Sequence, residues 1–114
     1  MSKGIKTILY PVSNLAQAKA FYTALFGVEP YMDESYYVAF NAHGQDVGLD
    51  PNGSKVGLTA ATAYWHVDDI KASLATLVES GATVHQEVRD VGGGHLVASV
   101  TDQDDNVTGL VQAA

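Results

Sequence analysis

The chain of 114 residues has no cysteine. That absence excludes disulfides, thiolate metal sites and a cysteine nucleophile. Basic residues are scarce: 6 Lys and Arg stand against 13 Asp and Glu, for a formal net charge of −7. Nucleic-acid binding is driven by Lys and Arg displacing counterions from phosphates, so no nucleic-acid partner is expected. The same charge disfavours an anionic membrane surface. No apolar run approaches the roughly 20 residues of a membrane span, so no membrane partner is expected either. Met1-Ser2-Lys3-Gly4-Ile5 lacks a signal peptide's apolar stretch, which makes the cytoplasm the expected compartment.

Hydrophobic residues make up 46% of the chain, the ordinary level for a globular domain. The length fits one compact domain, or two half-size modules sharing a core. The acidity serves solubility and also favours a cationic ligand through the overall field.

Two stretches have the same design. Leu9-Tyr10-Pro11-Val12-Ser13-Asn14-Leu15 and Tyr64-Trp65-His66-Val67-Asp68-Asp69-Ile70 each run from apolar residues through a polar pair into an amphipathic segment. Ile5–Val12 reads as a strand, with Pro11 near its end because it donates no ladder hydrogen bond. Asn14 is a helix N-cap with Gln17 as its capping-box partner. Ala18, Phe21, Tyr22 and Leu25 form one helix face, and Gly27 ends the helix. Glu29–Met32, Tyr36–Phe40 and Gln45–Asp50 read as strands, with Asp33-Glu34-Ser35 and Asn41-Ala42-His43-Gly44 between them. Pro51-Asn52-Gly53-Ser54 is the linker.

The order then repeats. Thr59–Val67 reads as a strand; Asp69 caps a helix with Ile70, Leu74, Leu77 and Val78 on one face, ended by Gly81. Thr83–Val88, His95–Thr101 and Asn106–Gln112 are the remaining strands. The offset is about 55 residues, relating Val12 to Val67 and Asn14 to Asp69. Neither half can bury much core alone. The expected fold is α+β: two βαβββ modules, 1–52 and 53–114, forming a curved eight-stranded mixed sheet. Its helices are expected on the convex face, with a concave cleft opposite.

The motifs Val12-Ser13-Asn14-Leu15, Ala20-Phe21-Tyr22, Leu25-Phe26-Gly27, Val67-Asp68-Asp69-Ile70 and Gly81-Ala82 give the chain a resemblance to the vicinal oxygen chelate superfamily. Asp102-Gln103-Asp104-Asp105-Asn106, followed by Gly109-Leu110, resembles that family's closing turn and strand. The superfamily includes glyoxalases, extradiol dioxygenases and bleomycin-resistance proteins. The resemblance implies metal ligands on the opening and closing strands of each module. The matching positions here are Thr7, Thr62, Gly48 and Gly109. Glycine has no donor atom and a neutral threonine hydroxyl is a poor ligand, so neither a metal nor a cofactor is expected.

Strand alternation places Thr62, Tyr64 and His66 on the cleft side, with Trp65 and Val67 toward the helix. Thr7, Leu9 and Pro11 share the cleft side, as do Asp46, Gly48 and Asp50. The glycines are expected to leave room for an organic ligand. One of Tyr36 and Tyr37 should line the cleft, the other the helix side. The candidate ligand-binding residues are Tyr64, His66, Tyr37, Asp46, Thr62 and Thr7. His43 should be solvated in its turn; a His66/His95 metal pair has no carboxylate spaced to complete it. Gly92-Gly93-Gly94 lacks the phosphate-loop pattern, and Asp102–Asp105 lacks the glycine and glutamate of a calcium loop.

The expectation is a metal-independent small-molecule binding protein that sequesters a drug or metabolite, of bleomycin-resistance type. Its ligand would be cationic or aromatic, and the chain would form a homodimer. The alternative is a lyase, isomerase or dioxygenase-type enzyme with a non-standard site; a further reading is assembly alone.

Overall fold

The structure is a computed structural model and describes residues 2–58, 60–102 and 104–114. Its elements are β1 (Ile5–Pro11), α1 (Leu15–Phe26), β2 (Met32–Glu34), β3 (Tyr37–Ala42), β4 (Gln45–Asp50), β5 (Thr62–His66), α2 (Ile70–Glu79), β6 (Thr83–Asp90), β7 (Leu96–Thr101) and β8 (Val107–Gln112). A short 3-10 turn covers Gly53–Val56. The class is α+β, and the βαβββ order occurs twice, as expected. None of the described helices is long and apolar enough to cross a membrane.

The chain divides into two compact units. The first is Thr7–Thr62; the second joins residues 2–6 to Ala63–Ala114. The N-terminal residues belong with the second unit because they bracket its first strand. The Lys3 amide donates to the His66 carbonyl at 2.8 Å, and the His66 amide donates to the Gly4 carbonyl at 2.8 Å.

In the first unit the strand order is β2-β3-β4-β1. β1 runs parallel to β4, and the other pairs are antiparallel. Val38, Phe40, Val47 and Leu49 point to one side, where Tyr10, Leu15, Ala18, Tyr22 and Phe26 pack on them. Asn14 caps α1 through its side-chain oxygen, which accepts from the Gln17 amide at 3.0 Å. Gly27 ends α1 at φ 71°, a left-handed conformation that glycine adopts without penalty.

The second unit has the order β5-β8-β7-β6, with β5 parallel to β8. Val67, Ile70, Leu74, Ala98, Val100 and Leu110 form its core under α2. Asp69 caps α2 by accepting from the Ala72 amide at 3.1 Å. The Gln112 side-chain oxygen accepts the Ile70 amide at 2.9 Å, tying α2 to the last strand.

α2 ends at Gly81 as expected: this glycine takes φ 109°, its amide donates to the Val78 carbonyl at 3.1 Å, and the Ala82 amide donates to the Leu77 carbonyl at 3.0 Å. Three expectations need correction. β2 is Met32–Glu34 rather than Glu29–Met32, so Asp33 and Glu34 belong to the strand. Pairing begins only at Tyr31, whose amide donates to the Ala39 carbonyl at 2.9 Å. An edge strand tolerates such charges and is protected by them. Second, Phe21 and Leu25 do not face the core: they are 61% and 64% exposed. The α1 stripe that packs inward is Leu15, Ala18, Tyr22 and Phe26. Third, β5 is Thr62–His66, shorter than the strand expected from Thr59; Thr59 itself lies outside the described residues.

These placements set unequal mutational costs. Phe40 is fully buried, so Phe40→Ala should cost about 3–5 kcal/mol in urea unfolding. Val91, just beyond β6, is 51% exposed, and Val91→Ala should stay within about 0.5 kcal/mol of wild type. A large loss from Val91→Ala would mean that this end of β6 is covered.

Candidate functional site

Each four-stranded sheet has a second face, opposite its helix, and strand alternation directs the candidate residues to it. In the first unit Val38, Phe40, Val47 and Leu49 point to α1, so Tyr37, Ala39, Asp46 and Gly48 point away. Thr7 pairs with Asp46, and Leu9 with Gly48. The Thr7 hydroxyl donates to one Asp46 carboxylate oxygen at 2.7 Å. The Tyr31 hydroxyl donates to the other at 2.5 Å. Burial, then the hydrogen bond to Asp46 and its charge, push the Tyr31 hydroxyl up to about 12. Thr7 and Asp46 thus come together, and Tyr31 joins them from just outside β2.

Tyr37 fills the position that Gly48 leaves open. A Cβ on Gly48 would collide with the Tyr37 hydroxyl and lie 2.5 Å from its Cζ. The second unit has the same contact from a different strand. Tyr64 pairs with Gly109, and its ring lies over that glycine. A Cβ there would be 2.6 Å from both Cγ and Cε2 of Tyr64. The expected empty space above the glycines is therefore occupied by aromatic rings. Tyr36 also differs from expectation: it is 58% exposed rather than packed on the helix side.

His66 ends β5 half-buried, its carbonyl accepting from the Ser2 hydroxyl at 3.1 Å as well as from Lys3. Asp68 follows closely, and a hydrogen bond from the Lys3 ammonium at 2.5 Å holds its carboxyl below the usual range. Thr62 is buried, and its hydroxyl donates to the Ala60 carbonyl at 3.4 Å. His43 is more than a solvated turn residue: its Nε2 pairs with the Phe26 carbonyl at 3.0 Å, at the end of α1.

Two functional candidates carried no clear sequence signal. Tyr31 follows Pro30 in what reads as a strand start. Ser99 is a lone hydroxyl inside apolar β7, 1% exposed and paired with Gly109. Its Oγ lies 2.9 Å from the His85 Nδ1. Working outward from Gly109 by strand pairing would have found it; reading β7 alone does not.

The family's metal does not fit these residues. Thr7 is committed to Asp46 and Thr62 to a main-chain carbonyl. Gly48 and Gly109 offer no donor, and tyrosines cover both. Among the described residues no three His, Cys, Asp or Glu side chains are grouped to hold a metal ion. The acidic stretch beginning at Asp102 is a turn: the Asp102 carboxylate accepts from the Asp104 and Asn106 amides and from the Asn106 side chain. These hydrogen bonds, led by the Asn106 side chain, hold the Asp102 carboxyl below its ordinary range. Gln103 lies outside the described residues.

The ring contacts predict an asymmetry. Gly109→Ala should cost about 1–3 kcal/mol in urea unfolding, because the atoms it meets include the ring's base at Cγ. Gly48→Ala should cost less, since the Tyr37 hydroxyl end can swing aside. Tyr64→Ala in the Gly109→Ala background should recover part of the loss; no recovery would show that the ring is not the obstacle.

Residues 4–110 match the family model of the Glyoxalase/Bleomycin resistance protein/Dioxygenase superfamily. No curated protein sequence matches the chain. Solved structures are similar over nearly the full length. A glyoxalase/bleomycin resistance protein/dioxygenase superfamily member from Vibrio splendidus has a TM-score of 0.73 at 16% identity, covering 93% of this chain and 95% of that one. A Streptomyces coelicolor methylmalonyl-CoA epimerase has a TM-score of 0.71 at 17% identity, covering 100% and 99%. A Legionella pneumophila protein described as an NAD-dependent benzaldehyde dehydrogenase has a TM-score of 0.76 at 14% identity, covering 95% and 98%. Such different descriptions on one backbone establish the fold and leave the activity to the site. With the family model covering most of its length, the chain belongs to the Glyoxalase/Bleomycin resistance protein/Dioxygenase superfamily.

Proposed function

We propose that this protein is a metal-independent small-molecule binder that holds an organic ligand on the helix-free faces of its sheets. The observation that carries this reading is the placement of Tyr37 over Gly48 and Tyr64 over Gly109. Where the family resemblance leads one to look for metal-ligand side chains, this chain presents aromatic surface. Aromatic rings recognise flat or cationic groups through stacking and cation–π attraction. In the first unit Asp46, bridged by Thr7 and Tyr31, adds an acidic group on the same face as Tyr37. The net charge of −7 draws a cationic ligand from a distance.

An isomerase or lyase is the second reading. It is favoured by the epimerase among the structural neighbours and by half-buried histidines on the strand faces of the second unit.

The proposal includes a homodimer. The outer face of α1 presents Ala16, Gln17, Ala20, Phe21, Ala24 and Leu25, all exposed and none charged. The equivalent outer surface of α2 carries Lys71 and Glu79. Two copies of an acidic chain repel one another, and an uncharged helix face is where they can approach with least cost.

Thermal-shift measurements with bleomycin, a neutral aromatic amide and methylmalonyl-CoA separate the binding and enzyme readings. A binder is stabilised by about 2.7 kcal/mol when ligand is at 100 times its Kd. Bleomycin or the amide should raise Tm, and Tyr37→Ala or Tyr64→Ala should weaken that ligand up to about tenfold. Turnover of methylmalonyl-CoA would replace the binding reading with the enzymatic one. Light scattering tests the dimer: the wild-type chain should have twice the monomer mass, and Phe21→Glu with Leu25→Glu should halve it. A monomeric wild type removes that part of the proposal.

A further inference from the structure

We infer that His85 is the ligand-directed hydrogen-bond donor on the strand face of the second unit, held by Ser99 in the tautomer that carries its proton on Nε2. This rests on the binding reading above, and it names a ligand class: an aromatic compound bearing a carbonyl-type acceptor.

The backbone singles out His85 first. β6 and β7 pair Val84 with Val100 and then Gln86 with Ser99. One residue of β6, His85, is therefore extra opposite Ser99, and the ladder shifts register there. A bulge of this kind bends the strand and re-aims a side chain. Here it directs His85 to Ser99, with Nδ1 2.9 Å from the hydroxyl oxygen.

The hydroxyl then fixes the ring. Ser99 is 1% exposed, so its hydrogen needs a protein acceptor. No buried side-chain polar atom among the described residues lacks a partner. If Nδ1 carried the proton, it would donate to Ser99, and the hydroxyl hydrogen would need a second acceptor. His85 is the side-chain partner Ser99 has among the described residues. Ser99 therefore donates and Nδ1 accepts, and the proton of the neutral imidazole lies on Nε2. Nε2 makes no hydrogen bond to a described residue, and the ring is half-buried.

The neighbourhood supplies the rest of the recognition. Ala98 and Val100 point to α2, so Ser99 lies on the opposite face. Its strand partner is Gly109, which the Tyr64 ring covers. An oriented N–H and an aromatic ring thus flank one buried serine. That pairing suits a flat ligand with a carbonyl oxygen at its edge. Ser99 itself is too buried to act as a nucleophile. A purely structural role would not call for this polar pair, since two apolar residues of matching shape can stabilise a sheet as well as a hydrogen-bonded pair.

Long-range proton–nitrogen NMR of the full chain, labelled at histidine, reads the tautomer directly. His85 should show a protonated Nε2 and an unprotonated Nδ1. Ser99→Ala should give mixed tautomers, and Ser99→Thr should restore the single form. A wild-type ring protonated on Nδ1 overturns the inference, whatever binds. Titration with benzamide should then move His85 and Tyr64 signals together, while toluene, which lacks an acceptor, should move Tyr64 alone. His85→Phe should weaken benzamide by about fivefold. Benzamide moving Tyr64 without His85 refutes the donor role and leaves the binding reading intact. Movement of neither refutes the donor role and counts against the binding reading in this unit as well.

Discussion

Everything in each unit depends on the parallel pairing of its first strand with its last. β1 lies beside β4 with Leu9 opposite Gly48, and β5 lies beside β8 with Tyr64 opposite Gly109. A slip of one residue in either pair would turn every side chain to the wrong face. Leu49 and Leu110 are fixed under their helices by burial, so the preceding glycines must point away. Once that register is set, the faces of Tyr37, Tyr64, Asp46 and Ser99 follow from alternation, while His85 reaches Ser99 through the bulge in β6.

That dependence explains what could be read from the sequence. Asn14 and Asp69 are strong local signals, because an N-cap needs only its own side chain and an amide three residues on. The face assignments of Thr7, Asp46, Tyr64 and Gly109 were also legible, because a period of two survives any uncertainty about strand ends. Phe21 and Leu25 misled because helical spacing cannot say how wide a stripe the sheet will cover; α1 is apolar on more than one side. The ring contacts were out of reach for another reason. An empty glycine and one covered by a ring read identically in sequence, and only the partner strand distinguishes them.

The two units reach one outcome by different routes. Tyr37 comes from β3 and meets Gly48 with its hydroxyl end, while Tyr64 comes from β5 and lies over Gly109 with the body of its ring. A repeated fold alone would put equivalent residues at equivalent positions. Here the shared element is the small residue just before the buried leucine, and each unit covers it from whichever strand supplies an aromatic side chain. The glycine is better understood as the seat for that ring than as a vacancy.

This arrangement also determines how far the chain stands from a metal site. In each unit the resemblance asks for one ligand from the opening strand and one from the closing strand. A carboxylate at position 48 or 109 would have to displace a tyrosine before it could reach any ion. A histidine at position 7 would remove the hydroxyl that Asp46 accepts. No single substitution therefore supplies a ligand without dismantling a contact already made. The strand faces are organised around aromatic rings and hydrogen bonds, and on the binding reading proposed above selectivity would come from stacking and directed donors.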